Sequence, residues 1–271
     1  MTEPTADKGP EMVERSVPWP AGTPNWVDLV VDDTAAAAKF YSALFDWDCE
    51  DQGEQTGHYW MCRLRGKVVA GLGPKQPGTE QVPSRWTTYL ATAHLDRTLA
   101  SATANGGQPL MEPLDVNTLG RMSILADPTG ATFGLWQAVE HIGVERTAEP
   151  GTLVWSEVMS RDYQASKAFY TAVFGYRLEE IGGDDFHYAA LYVDDQPVAG
   201  TGELSSAMPA QMPAHWLPYF AAASTDDIVN RLLELGGEVL SEPMDTDFGR
   251  LAVVADPEGA LFAVIQPAEP E

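Results

Sequence analysis

Residues 26–31 (WVDLVV) are apolar at nearly every position, as in a strand with at least one covered face. Asp33 or Thr34 then supplies a capping oxygen for a helix on which Ala37, Phe40 and Leu44 share one side. Strands are predicted at about 59–64 and 67–72, the second running into Gly71 and Gly73. The Pro-rich stretch PKQPGTEQVP leads into a strand at TTYLAT. A helix follows with Leu95, Leu99 and Ala102 on one side, ending at Asn105-Gly106-Gly107. Strands around 121–126 and 131–136 close the series. They are joined by Asp127-Pro128-Thr129-Gly130, in which Pro fixes one φ and Gly accepts a positive one.

The series then repeats. FYSALFDW from Phe40 returns as FYTAVFGY from Phe169, an offset of 129. His58-Tyr59 matches His187-Tyr188, Val69-Ala70-Gly71 matches Val198-Ala199-Gly200, and Gly120-Arg121 matches Gly249-Arg250. ADPTGA from Ala126 matches ADPEGA from Ala255. Between Trp86 and Glu112-Pro113 the offset is 130, one residue being gained and later lost in loops. The chain is a duplication over about 26–137 and 155–266, each copy holding two βαβββ units. The expected organisation is a disordered segment at 1–20, a domain at 21–138, a linker at 139–151, a second domain at 152–267 and a disordered tail.

Composition narrows the partners. With 16 Lys and Arg against 40 Asp and Glu, the net charge is −24, which repels phosphate and argues against nucleic acid and anionic membranes. Apolar runs fall well short of the roughly 18 residues of a membrane span, and the first residues lack the apolar stretch of a signal peptide, so a cytoplasmic location is expected. Cys49 and Cys62 match Leu178 and Leu191 in the second copy. This favours small buried hydrophobes over reactive thiols, a disulfide or a zinc site.

Four βαβββ units, a Phe-Tyr pair late in the first helix of each copy and twin Asp-Pro-x-Gly turns resemble the vicinal oxygen chelate superfamily of glyoxalases, bleomycin-resistance proteins and extradiol dioxygenases. The tandem arrangement, with its VAGLG and VAGTG strands, looks like the two-domain glyoxalase-like proteins of actinobacteria labelled hydroxylases or antigens. The resemblance implies an α+β fold in which βαβββ units form cup-shaped mixed sheets. It also implies a cleft for a divalent ion held by His or Gln on a first strand and Glu on a last strand. Those positions fall on Trp26 and Trp155, on Thr87 or Trp86, on Leu217 or Trp216, near Gly71 and Gly200, and on Gly134 and Ala263. None is a ligand. His215 is the nearest imidazole, and one His does not make a metal site, so neither metal nor other cofactor is expected.

Alternation from Trp26 and Trp155 places Asp28 and Glu157 on the same concave faces, where burial suits a carboxyl to acid or base work. The competing reading is a structural carboxylate bonded to a neighbouring strand or to Arg121 or Arg250. His58 and His187, each beside a Tyr, are further proton-transfer candidates, with a loop or packing role as the alternative. Arg121 and Arg250 are expected to pair with the turn aspartates. Trp26, Trp155, Tyr89, Tyr219, Trp136 and His215 are candidate contacts for a flat ligand, and large aromatics serve equally in cores.

The expected function is metal-independent tailoring of a hydrophobic or aromatic metabolite by an isomerase, lyase or hydroxylase-like enzyme. The alternative is a protein that sequesters such a ligand, where the acidity favours a cationic one. A metal-dependent glyoxalase or dioxygenase is the third reading. One chain holds four units, enough to close its own clefts as a monomer.

Overall fold

Each copy folds into one eight-stranded mixed sheet, so its two units pair with each other rather than with the other copy. The computed structural model describes residues 13–268 apart from 80, 184, 185, 206 and 207. In the first copy β2 (Pro24–Val31) leads to α1 (Thr34–Phe45), β3 (Asp48–Asp51), β4 (Trp60–Leu64) and β5 (Lys67–Pro74). Its second unit is β6 (Arg85–Ala91), α2 (Leu95–Ala104), β7 (Gln108–Val116), β8 (Gly120–Ala126) and β9 (Thr132–Ala138). The sheet runs β3-β4-β5-β2-β6-β9-β8-β7. Two short strands, β1 (Val13–Glu14) and β10 (Arg146–Thr147), pair with each other outside it.

The second copy repeats the pattern. Its first unit is β11 (Leu153–Ser160), α3 (Tyr163–Phe174), β12 (Arg177–Glu180), β13 (Tyr188–Val193) and β14 (Gln196–Glu203). The second unit comprises β15 (His215–Ala221), α4 (Thr225–Glu234), β16 (Glu238–Thr246), β17 (Gly249–Ala255) and β18 (Leu261–Pro267). Its sheet order is β12-β13-β14-β11-β15-β18-β17-β16. Sequence periodicity had located only two of the three strands after each helix. The omitted β3, β7, β12 and β16 are edge or next-to-helix strands with mostly exposed side chains, which weakens their apolar signal.

The helices start where the capping residues lie. Asp33 accepts from the Ala36 amide at 2.9 Å, and Asp162 accepts from Ala165 at 3.0 Å. The helix-facing sides of the two sheets meet. The α1 aromatics Tyr41 and Phe45 pack on Phe220 and Phe262 of the second copy, while Phe169 and Tyr170 of α3 pack on Phe133 of the first. Burying each such ring contributes about 1.5–3 kcal/mol. At the centre the copies meet through matching polar groups: the Tyr41 hydroxyl donates to Asp256 at 3.0 Å, and Tyr170 lies beside Asp127 at the equivalent place. The indoles of Trp86 and Trp216 donate to these same hydroxyls, at 3.1 and 2.7 Å, so both are core residues.

Three expectations are corrected. Cys49 and Cys62 stand opposite each other on β3 and β4 and form a disulfide. Arg121 bonds Asp96 and Asp115, and Arg250 bonds Asp226 and Asp245, because each guanidinium leans toward the start of the preceding helix and the strand beside it rather than toward the turn. Residues 13–20, expected within a disordered segment, pack on the linker: β1 pairs with β10, and the Trp19 indole donates to the Val144 carbonyl at 3.1 Å. Residues 1–12 and 269–271 lie outside the described residues. Among the described residues no helix is long and apolar enough to cross a membrane.

Candidate functional site

The free face of each sheet forms the cup, and strand register decides what meets there. In β2, Trp26 and Asp28 alternate with Val27 and Leu29, which face the helices and are fully buried. Trp26 lies opposite Tyr89 on β6, and Asp28 lies between Thr87 on β6 and Gly71 on β5. The Tyr89 hydroxyl donates to Asp28 Oδ2 at 3.0 Å. A second phenol, Tyr59, donates to the same oxygen at 3.4 Å and accepts from the Trp26 indole N–H at 3.2 Å. Asp28 Oδ1 is buried and has no hydrogen-bond partner.

The second copy rebuilds this arrangement. Tyr219 donates to Glu157 Oε1 at 2.7 Å, Tyr188 donates to Oε2 at 2.9 Å, and the Trp155 indole donates to the Tyr188 hydroxyl at 2.9 Å. Each cup therefore holds a carboxylate between two phenols, one of them polarised by an indole. Asp28 and Glu157 are only 9% and 8% exposed, so desolvation dominates their acidity. Burial pushes Asp28 up to about 7, against the lowering effect of the two phenols and Arg85. Glu157 is raised for the same reason, again opposed by its tyrosines. Burial, and then the adjacent carboxylate, push all four phenols upward, which keeps them as donors.

The remaining sequence candidates separate. His58 is exposed and pairs with Asp51 at 2.9 Å, and Asp51 raises its pKa. His187 is exposed, stacks on Tyr163 at 5.8 Å and lies 3.8 Å from Glu203. Both are corrected to surface residues: the left-handed turn at His58 and the strand start after His187 send the Tyr of each pair inward and the His outward. His215 lies on the cup face of β15 opposite Met159, two register positions from Glu157, and its ring is held by the Pro213 carbonyl at 2.9 Å. Trp136 faces the first cup and donates to the His141 carbonyl at 2.7 Å.

Tyr59 and Tyr188 were missed as site residues. Their signal was the doublet repeated at the offset, in which the histidine drew attention instead of its neighbour.

Two glycines shape the first cup. A Cβ at Gly71 would strike the Tyr59 hydroxyl, and one at Gly134 would strike the Tyr89 ring. These are positions near which the resemblance implies metal-binding carboxylates. Trp26 and Trp155 offer an N–H donor rather than a lone pair, and the space that a Glu at 134 would need is filled by Tyr89. The residues present do not fit the family's ion. Among the described residues no group of three or more His, Cys, Asp or Glu is placed to hold a metal.

The sequence profile described as Glyoxalase/Bleomycin resistance protein/Dioxygenase superfamily matches residues 23–135 and 145–264. The chain belongs to that superfamily. It is 41% identical over 254 residues to a Mycobacterium bovis protein named "Putative glyoxylase CFP32", covering 91% of this chain and 95% of that one. It is 37% identical over 260 residues to the anthracycline biosynthesis protein DnrV of Streptomyces peucetius, covering 90% and 93%. The Mn(II)-bound glyoxalase of Novosphingobium aromaticivorans shares the fold at a TM-score of 0.64 and 18% identity, over 93% of this chain and 85% of the other. Within the superfamily, this chain has placed aromatic rings where an ion's ligands are expected.

Proposed function

We propose that the chain is a metal-independent tailoring enzyme that takes a flat, largely hydrophobic metabolite into a cup and moves a proton on it through the tyrosine-held carboxylate. One observation carries the reading: a buried carboxylate of raised pKa lies between two phenols at the site where the superfamily is expected to hold its ion. A carboxylate of raised pKa takes a proton from a carbon or hydroxyl beside a carbonyl, and its protonation releases the phenol O–H groups to turn toward the charge left on oxygen. Returning that proton to another atom completes an isomerisation; loss of a leaving group completes an elimination. Atoms balance in both. The relatives named for anthracycline biosynthesis support a polycyclic aromatic substrate. Aromatic walls supply stacking worth about 0.5–1.5 kcal/mol per ring beyond burial.

A second reading, a protein that holds its ligand unchanged, is favoured by the fact that both Glu157 oxygens already accept from tyrosines. Native mass spectrometry of freshly purified protein, compared with the denatured mass, identifies the retained molecule. Incubation with that molecule then separates the readings. An altered product that survives chelator and is lost in Glu157→Gln or in Asp28→Asn supports the enzyme; an unchanged molecule supports the binder. One tightly held divalent ion per domain, with activity lost on chelation, would overturn both.

A further inference from the structure

The two cups differ in what lies over the tryptophan. In the first, His141 of the linker sits edge-on against Trp26 at 4.5 Å between ring centroids and against Trp136 at 5.4 Å. Its Nε2 is buried and has no hydrogen-bond partner. The chain then enters the gap where β2 and β5 diverge. The Val144 amide donates to the Asn25 carbonyl at 2.7 Å, and the Glu145 amide donates to the Val68 carbonyl at 2.8 Å. The Val68 amide in turn donates to the Glu145 carboxylate at 3.0 Å. Residues 141–145 are thus an internal occupant, a planar heteroaromatic ring in the cup followed by an arm that bends at Gly143 and lies between strands.

At the repeat offset, the walls of that gap correspond to residues 153–156 and 196–198. These line a cavity of about 300 Å³ that also touches Trp19 and Val144. Trp155 is half-buried, whereas Trp26 is 3% exposed. Two replacements alter the chemistry. Ile265 stands where the first copy has Trp136, leaving more width for a ring. Pro197 stands where Val68 does and lacks the amide that binds the Glu145 carboxylate.

We propose that the first cup is sealed by His141 and that the second is the working site. It binds one molecule per chain: a flat ring wider than imidazole, placed edge-on against Trp155 as His141 is against Trp26, with a neutral apolar arm in the gap beside Pro197. This inference rests on the proposed function for its ligand class, but closure of the first cup stands independently on the His141 contacts.

The experiment has two arms. In the first, 1,4-dihydroxyanthraquinone is titrated by tryptophan fluorescence and equilibrium dialysis. The parent is expected to bind one probe per chain, Trp155→Ala to lose at least tenfold in affinity, and His141→Gly to bind a second probe. In the second arm, millimolar imidazole is expected to raise the melting temperature of His141→Gly and leave that of the parent unchanged. His141→Ala is the substitute if the glycine variant does not fold. Two probes per parent chain, or unchanged affinity in Trp155→Ala, overturns the assignment of the working cup. Absence of imidazole stabilisation overturns the seal. No probe binding by any protein overturns the aromatic reading of the function, while the imidazole arm still decides the seal.

Discussion

The ring of Tyr89 lies directly across Gly134, so that a methyl group there would overlap its Cδ1. In the second copy the matching residue is Ala263, opposite Tyr219, and the carboxylate that Tyr219 serves is one methylene longer, Glu157 in place of Asp28. Gly134→Ala is therefore expected to cost about 1–3 kcal/mol by overpacking. Adding Asp28→Glu should return part of the loss, because the raised ring then meets a carboxylate that reaches further. Thermal denaturation of the two single variants and the double variant checks this; strictly additive losses would show that ring height and carboxylate length are independent.

Asp28 gives a pH dependence with a definite sign. Its carboxyl is pushed from 3.8 up to about 7 by burial, so between those values the folded chain keeps a proton that the unfolded chain has released. Its contribution to stability is full below the unfolded value and is lost as pH rises through about 7. Asp28→Asn removes the loss, worth at most about 4 kcal/mol at 1.36 kcal/mol per pH unit. The variant should therefore gain stability relative to the parent between pH 4 and pH 8, as read from denaturant midpoints at each pH. Glu157→Gln should move in the same direction.

His141 acts with the opposite sign. Burial, and secondarily the charge of Arg63, lower its pKa from 6.5 to about 4, so the unfolded chain binds the proton first as pH falls. Stability from the closed linker is complete above 6.5 and drains away toward pH 4. Acrylamide quenching of tryptophan emission should rise over that window in the parent, as Trp26 and Trp136 become exposed. His141→Gln should flatten the rise.

The Cys49–Cys62 bond closes a short loop, with a sequence separation of 13. Chain-entropy arguments give about 3 kcal/mol for a loop of this length. Reduction, or Cys49→Ser with Cys62→Ser, should lower the melting temperature accordingly. Alkylation of denatured, unreduced protein should leave both sulfurs unmodified; two labelled thiols would contradict the bond.

The duplication, the turns and the α1 and α3 helices were legible because local signals and a constant offset specify them. The faces of Trp26 and Asp28 were legible from alternation alone. Alternation does not reveal which neighbouring strand lies beside a residue, so the tyrosines at 59 and 188 could not be assigned to Asp28 and Glu157 before the register was known. The cysteines follow the same logic. Leu178 and Leu191, their counterparts, also stand opposite each other on paired strands. Comparing the copies thus identified the packing environment but not the covalent pairing. The insertion of residues 142–145 between β2 and β5 left no local trace, since its bonds run to residues more than 70 positions away.

The meeting of Tyr41 with Asp256 and of Tyr170 with Asp127 has a consequence for ancestry. Each half carries a phenol that faces the other half's turn, and each packs helix aromatics against the other's sheet. A solitary ancestral half would have exposed both and met the same needs by associating with its twin. Fusion made that association permanent, and a permanent pair is free to let its members diverge. One partner could then take the joining segment into its own groove while the other stayed open.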